Sequence, residues 1–398
     1  MNQSWLDTPP GAEWPDSTEP NPFIRYRRLL WSWHRAIESG WSDEDFVERV
    51  TSLDEVLASS GVGFTVTPTG WADALAGEGS VARVLAKDET HNVSGSHKAR
   101  HLMGQLLHLA IDSESTDQRL AIASCGNAAL GAATVAHAAD RPLDVFIPTW
   151  ADPFIVAMLE DLDASIHVCR RGEGEFGDPC MRRFLEAVAE GGVPFGVQAT
   201  QNTWTLDGGR TIGWELADQL RHLDSSPGPG HLLVQVGGGA LLVSCTIGLL
   251  EAVEKGRIAT TPRIWAVQAE GCAPFDRAYT GVSTSGTIDD RLADAVARAD
   301  ELMFPWVEPS SAATGILDDI TYDWLGVLRA VLATGGGSIV ATEQEVLLAN
   351  ERAGDLFDAD HTGTAGYAGV LAGVRQGVLD ADQSVAVLMT GVRRQAEV

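Results

Sequence analysis

Among the 398 residues no apolar run approaches the roughly 18 needed to cross a bilayer, and the opening MNQSWLDTPPGAEWPD is polar. It has no basic start followed by an apolar core, so neither a membrane anchor nor a secretory leader is expected, and a cytosolic (cytoplasmic) protein is. Cysteine is scarce. Cys125, Cys169, Cys180, Cys245 and Cys272 are odd in number, widely spaced and contain no CxxC pair. A disulfide framework and a zinc site are therefore not expected, and a reducing compartment is. Basic residues are outnumbered, 28 Lys+Arg against 55 Asp+Glu, for a formal net charge of −27. A surface of that sign repels phosphate backbones and anionic membranes, so nucleic acid and membrane are not expected partners. Asn-Val-Ser at Asn92 matches a glycosylation acceptor only formally.

What is present is ordinary globular composition, 44% hydrophobic and 21% charged, in a chain long enough for two packed units. Residues 1–63 read as a loop followed by helices. NPFIRYRRLLWSWHRAI and SDEDFVERVTSLDEVL carry apolar residues at helical spacing, with Ser42 as an N-cap. Beyond them, the short apolar runs VARVLAK, RLAIAS, LDVFIP, ASIHVC, HLLVQV, RIWAVQ and SVAVLM alternate with helical segments such as KARHLMGQLLHLAI and NAALGAATVAHAA. Strands of four to seven residues separated by helices specify an α/β protein with mainly parallel sheet. Such sheets take ligands at the carboxyl ends of their strands, so the loops leading from strand to helix carry the information.

Four of these loops hold chemistry-bearing residues. In VQVGGGALLVS, Gly237, Gly238 and Gly239 follow an apolar strand and precede an apolar helix. They form either a tight turn or a cradle of N–H groups for an anion at a helix N-terminus. Neither the dinucleotide fingerprint nor the Walker loop is matched, because Leu242 replaces the last glycine of the first and no Gly-Lys-[Ser/Thr] is present for the second. In AIASCGNAAL, Ser124-Cys125-Gly126-Asn127 open an alanine-rich helix. Its free N–H groups suit a carboxylate, while Asn127 either caps the helix or offers a donor and an acceptor to a ligand. In VARVLAKDETHNVSGSHKARH, Lys98 falls on the first helical turn, where a cation opposes the helix dipole. It is either a solvated surface lysine or a desolvated amine able to form a Schiff base. In SVAVLMTGV, Thr390 places a hydroxyl at the end of a late strand.

In this order and spacing the four elements resemble the fold type II pyridoxal-phosphate enzymes, the tryptophan-synthase-β superfamily that includes serine/threonine dehydratases, threonine synthases and cysteine synthases. SGSHKAR stands for the family's S/T-G-S-F-K-x-R, SCGNAA for S-S-G-N, VGGGALLVS for V-G-G-G-G-L-x-x-G, with TG near the end. The resemblance spans Thr67-Pro68 to Gly391 and implies two three-layer domains with mainly parallel twisted sheets. On that pattern the expected organisation is an N-terminal helical arm at 1–63, a large cofactor-binding domain at 64–108 and 201–398, and a small mobile domain at 109–200.

The resemblance also implies roles. Lys98 is the Schiff-base lysine of pyridoxal 5'-phosphate and afterwards the base at the substrate's α-proton. Asn127 bonds the cofactor's 3-hydroxyl. Ser124, Cys125 and Gly126, with Ser96 and Asn127, hold the substrate. Gly237, Gly238, Gly239 and Ala240 wrap the phosphate, and Thr390 faces the pyridine nitrogen. A neutral hydroxyl there makes the ring a weaker electron sink, which suits chemistry at the β or γ carbon.

Departures are His97 for the family's phenylalanine, Ala240 for the fourth glycine, Arg210 in DGGRTIG for the glycine of G-Q-G-T, Ala128 for the dehydratases' histidine, and Asp360 in DHTGT for a glutamate. His97 is either a second acid/base or a ring packed behind Lys98, and His91 and His101 are read as surface or helix-face residues. NPFIRYRRLL resembles the segment preceding the body of threonine-synthase-like members, its arginines sealing a cleft, forming a dimer contact or lying on a surface arm.

The implied function is elimination, α,β- or β,γ-, on a small L-amino acid or its substituted derivative, of dehydratase or ammonia-lyase type, in a homodimer. The alternatives are a β/γ-replacement synthase and a non-catalytic pyridoxal-phosphate- or nucleotide-binding protein.

Overall fold

SDEDFVERV becomes helical because its first turn satisfies its own donors. Ser42 Oγ accepts from the Asp45 N–H at 3.1 Å while Asp45 accepts from the Ser42 N–H at 2.7 Å, a capping box that also sets acid at the positive end of the dipole. The resulting helix, Asp43–Ser60, buries Phe46, Val50, Leu53 and Leu57, one stripe at spacings of three and four. The structure is a computed structural model and describes residues 7–77, 81–112, 118–172, 178–223 and 228–394.

The apolar runs form strands in two sheets. In chain order these are β1 (Thr69–Trp71), β2 (Arg83–Asp88), β3 (Leu120–Ala123), β4 (Leu143–Pro148), β5 (Ser165–Cys169), β6 (Val193–Pro194), β7 (His231–Gln235), β8 (Arg263–Ala269), β9 (Gly337–Ala341) and β10 (Ser384–Met389). The larger sheet has the order β1-β2-β10-β7-β8-β9 and the smaller the order β5-β4-β3-β6. Every pairing is parallel except β1 with β2, and the intervening helices supply the crossovers that parallel neighbours require. The class is α/β, as expected. All seven strands expected from the sequence are present. β1, β6 and β9 are additional, and their brevity or glycine content, as in Gly337-Ser338-Ile339-Val340-Ala341, hides them from a pattern search.

The chain falls into two compact units. Of the described residues, one contains those from 7–66 and 92–211, the other those from 67–91 and 212–394. Residues 7–66 and the helix Lys98–Asp112 thus cluster with the smaller sheet, whereas the sequence pattern set the arm apart and grouped Lys98 with the glycine loop. The reason is packing. Asp207 accepts from the N–H groups of Trp31 and Ser32, both at 2.9 Å, so the helix Trp31–Glu38 is tied at its N-terminus to the start of the helix Thr205–Arg221. Gly104 and Gly208 allow the helices Lys98–Asp112 and Thr205–Arg221 to touch backbone to backbone. Among the described residues no helix is long and apolar enough to cross a membrane.

Candidate active site

In the unit that holds the smaller sheet, Lys98 is the first residue of its helix and is half-buried. The approach is unusual backbone. Asn92 Oδ1 accepts from the Val93 N–H at 2.8 Å, and Ser94 and Gly95 then both take left-handed conformations, φ 55° and 67°. A left-handed serine carries strain that a plain connection does not require, and such strain gathers at functional sites. Ser96 is buried, and its Oγ accepts from the Lys98 N–H at 3.4 Å. The ring of His97 is buried and meets His101 edge to face, centroids 5.8 Å apart. His91 is exposed. His101, read from sequence as a surface or helix-face residue, is a core residue whose Nδ1–H donates to the Thr205 carbonyl at 2.8 Å. It faces inward because it lies one turn beyond His97 on the face turned to the helix Thr205–Arg221.

The helix Asn127–Ala138 packs beside the Lys98 helix at Gly131. A Cβ there would come within 3.3 Å of Lys98 Cβ, 3.2 Å of the Ala99 nitrogen and 3.1 Å of Leu102. Lys98 and the loop Ser124–Asn127, which follows β3, are thereby drawn to neighbouring helix starts. Asn127 is not the N-cap; Gly126 is, and no side chain caps this terminus. A helix start without a side-chain cap suits a carboxylate. Cys125 is half-buried, with its thiol pushed up by burial and by Asp178, so it stays protonated.

In the unit that holds the larger sheet, Gly237–Gly239 connect β7 to the helix Ala240–Glu254. Gly239, φ 108°, is the N-cap with no side-chain bond, and the first turn holds no acid. Among the described residues nothing accepts from the N–H groups of Gly238, Gly239, Ala240 or Leu241. Uncapped donors at the mouth of an apolar helix fit a phosphate group. Packing also demands two of these glycines. A Cβ at Gly237 would lie 2.5 Å from Asp318 Oδ2, and one at Gly239 would lie 2.7 Å from Val327 Cγ2. Ala240 replaces the fourth glycine without obstruction, because it is already helical and buried.

Thr390 follows β10, the neighbour of β7, so its hydroxyl and the glycine loop occupy the same carboxyl edge of one sheet. The hydroxyl is buried and accepts from Gln235 Nε2 at 2.6 Å. Beside it, Asp360 caps the helix His361–Arg375, accepting from the Gly363 N–H at 2.6 Å and donating its own N–H to the Gly391 carbonyl at 3.0 Å. Burial holds the Asp360 carboxyl above the usual carboxylate range, opposed by the Gly363 hydrogen bond and the Arg394 charge. The DHTGT segment thus does lie beside Thr390. Gln235, bonded to Thr390, is a residue that motif reading did not single out. The signal was there, as one amide at the end of a strand buried throughout.

The chain is 25% identical to a threonine synthase of Methanosarcina acetivorans over 330 residues, 82% of this chain and 74% of that protein. It is 28% identical to an L-serine dehydratase of Saccharomyces cerevisiae over 192 residues, 47% of this chain and 55% of that protein. A solved threonine deaminase, from T.th., superposes with a TM-score of 0.65 at 19% identity, covering 88% of this chain and 99% of that one. The model of the family described as pyridoxal-phosphate dependent enzyme matches residues 62–391, and the chain belongs to that family, an enzyme with pyridoxal phosphate as its cofactor.

Proposed function

We propose that the protein is a lyase that eliminates a leaving group from the β or γ carbon of a small L-amino acid, of the dehydratase or ammonia-lyase type. The observation that carries this reading is the neutral hydroxyl of Thr390, buried just past the end of β10, which we take as the partner of the cofactor's ring nitrogen. When bound, pyridoxal phosphate supplies an electron sink for negative charge at the substrate's α-carbon, weakened here by that neutral partner.

The chain's own residues do the rest. Lys98 Nζ would hold the cofactor covalently, and its amine would take the substrate's α-proton. Asn127 and the uncapped turn behind Ser124, Cys125 and Gly126 hold the cofactor's 3-hydroxyl and the substrate carboxylate, and Ser96 supports the latter. Gly237 to Ala240 bind the phosphate through their N–H groups. His97, at 6% exposure and packed edge to face on His101, supports Lys98 from behind. A cytosolic homodimer belongs to the same reading and is checked by sedimentation.

A second reading, replacement at the same carbon, is favoured by the likeness to threonine synthase across 82% of the chain. Holoenzyme incubated with serine, threonine and their O-acetyl and O-phospho derivatives separates the two. Keto acid and ammonia without a new amino acid support elimination, and a new amino acid in their place establishes replacement. Borohydride reduction followed by peptide mapping tests the attachment, with label at Lys98 expected and label elsewhere overturning its role.

A further inference from the structure

We propose that Gln235 is a positioning residue that sets the Thr390 hydroxyl to donate towards the cofactor's ring nitrogen, an inference resting on the reading that Thr390 faces that nitrogen. Gln235 closes β7, whose five residues are all buried, and is itself 4% exposed. Its Nε2 lies 2.6 Å from Thr390 Oγ1 and 3.2 Å from each of the carbonyl oxygens of Leu388, Thr362 and Gly363. Three carbonyls can only accept, so the group among them must be the amide nitrogen and not the oxygen. With two hydrogens for four acceptors, the shortest bond goes to Thr390. The hydroxyl therefore accepts from the amide.

The other end of the side chain shows what this arrangement costs. Gln235 Oε1 is buried without a hydrogen-bond partner among the described residues. It abuts Gly366, where a Cβ would lie 2.9 Å from it. A buried acceptor left unpaired costs stability, and an apolar side chain of the same shape avoids that cost. The unpaired oxygen offsets part of what the nitrogen's bonds contribute, and the shortest of those bonds goes to Thr390. A hydroxyl that accepts a hydrogen bond is polarised into a stronger donor through its own O–H. Gln235 thus favours a ring nitrogen that is an unprotonated acceptor, in keeping with chemistry at the β or γ carbon.

The test is the ring-nitrogen NMR shift of holoenzyme reconstituted with pyridoxal phosphate labelled with nitrogen-15 in the ring, in wild type, Gln235→Met, Gln235→Leu and Thr390→Val. Both Gln235 variants are expected to move the shift from the wild-type value towards that of Thr390→Val. They are expected to weaken cofactor binding about 2–10-fold, the worth of one hydrogen bond, while remaining folded. If Thr390→Val moves the shift and the Gln235 variants do not, or if neither Gln235 variant folds, Gln235 is only a core residue and the inference fails. If Thr390→Val leaves the shift unmoved, the assignment of Thr390 to the ring nitrogen is itself wrong.

Discussion

At the scale of single residues, the difference between a structural and a functional polar group lies in what satisfies it. Asn127 heads its helix without capping it, so the helix terminus does not account for its amide. Replacement by alanine is expected to weaken pyridoxal-phosphate binding roughly 5–100-fold, the loss of about 1–3 kcal/mol for a hydrogen bond at a desolvated site, as read by equilibrium dialysis. Lys87 is the opposite case. It is fully buried with Nζ 2.8 Å from Glu215 and 3.9 Å from Glu89, while Thr67 Oγ1 bridges both carboxylates. Lys87→Met removes a buried cation that both carboxylates face. The expected cost is about 3–5 kcal/mol of folding stability, measured by urea unfolding. A variant within about 0.5 kcal/mol of wild type would show that the amine contributes nothing there.

At the scale of elements, the helix Lys98–Asp112 is located by its neighbours rather than by its own propensity. A Cβ at Gly208 would collide with the Arg100 carbonyl of the facing backbone. Gly208→Ala is therefore expected to cost about 1–3 kcal/mol or more and, because it displaces the Lys98 helix, to lower activity as well; calorimetry beside an activity assay reads both. His108 holds the same region together. Arg35 Nη1 can only donate, so Nδ1 accepts at 2.9 Å and Nε2–H donates to Asp207 at 3.0 Å. The ring is thus a neutral imidazole stacked on Trp204, with Asp112 paired to Arg35.

Burial holds the His108 pKa below the ordinary 6.5, against the pull of Asp207 and with a smaller push from Arg35. The unfolded chain protonates this histidine before the folded one does. Its contribution is complete above pH 6.5 and is lost as pH falls below that value towards the folded pKa, by up to about 1.4 kcal/mol per pH unit. Wild type should lose more stability between pH 7.5 and 5.5 than His108→Gln, and equal slopes in urea titrations at the two pH values would refute this.

At the scale of the whole molecule, a net charge of −27 means that the folded chain repels itself. Raising ionic strength from about 0.01 to 0.3 M shortens the Debye length several-fold. It is expected to raise the melting temperature on the order of a few degrees. A melting temperature that falls with added potassium chloride would mean that attractive pairs such as Arg27–Asp43 outweigh the repulsion.

Periodicity was enough to determine the α/β class, seven of the strands and the order of the four loops, because apolar alternation and glycine or proline punctuation act locally. Residue chemistry left Lys98, Asn127, the glycine run and Thr390 open between structural and functional roles, and the resemblance of their four motifs in order assigned them to one site. Only tertiary structure decided that the Lys98 helix clusters with the smaller sheet, because a backbone crossing at Gly104 and Gly208 leaves no trace in the hydrophobic pattern. It alone also buried His101 and joined Gln235 to Thr390, 155 residues further along the chain. Those outcomes depend on which distant groups a donor meets in the folded chain, and sequence spacing does not encode that meeting.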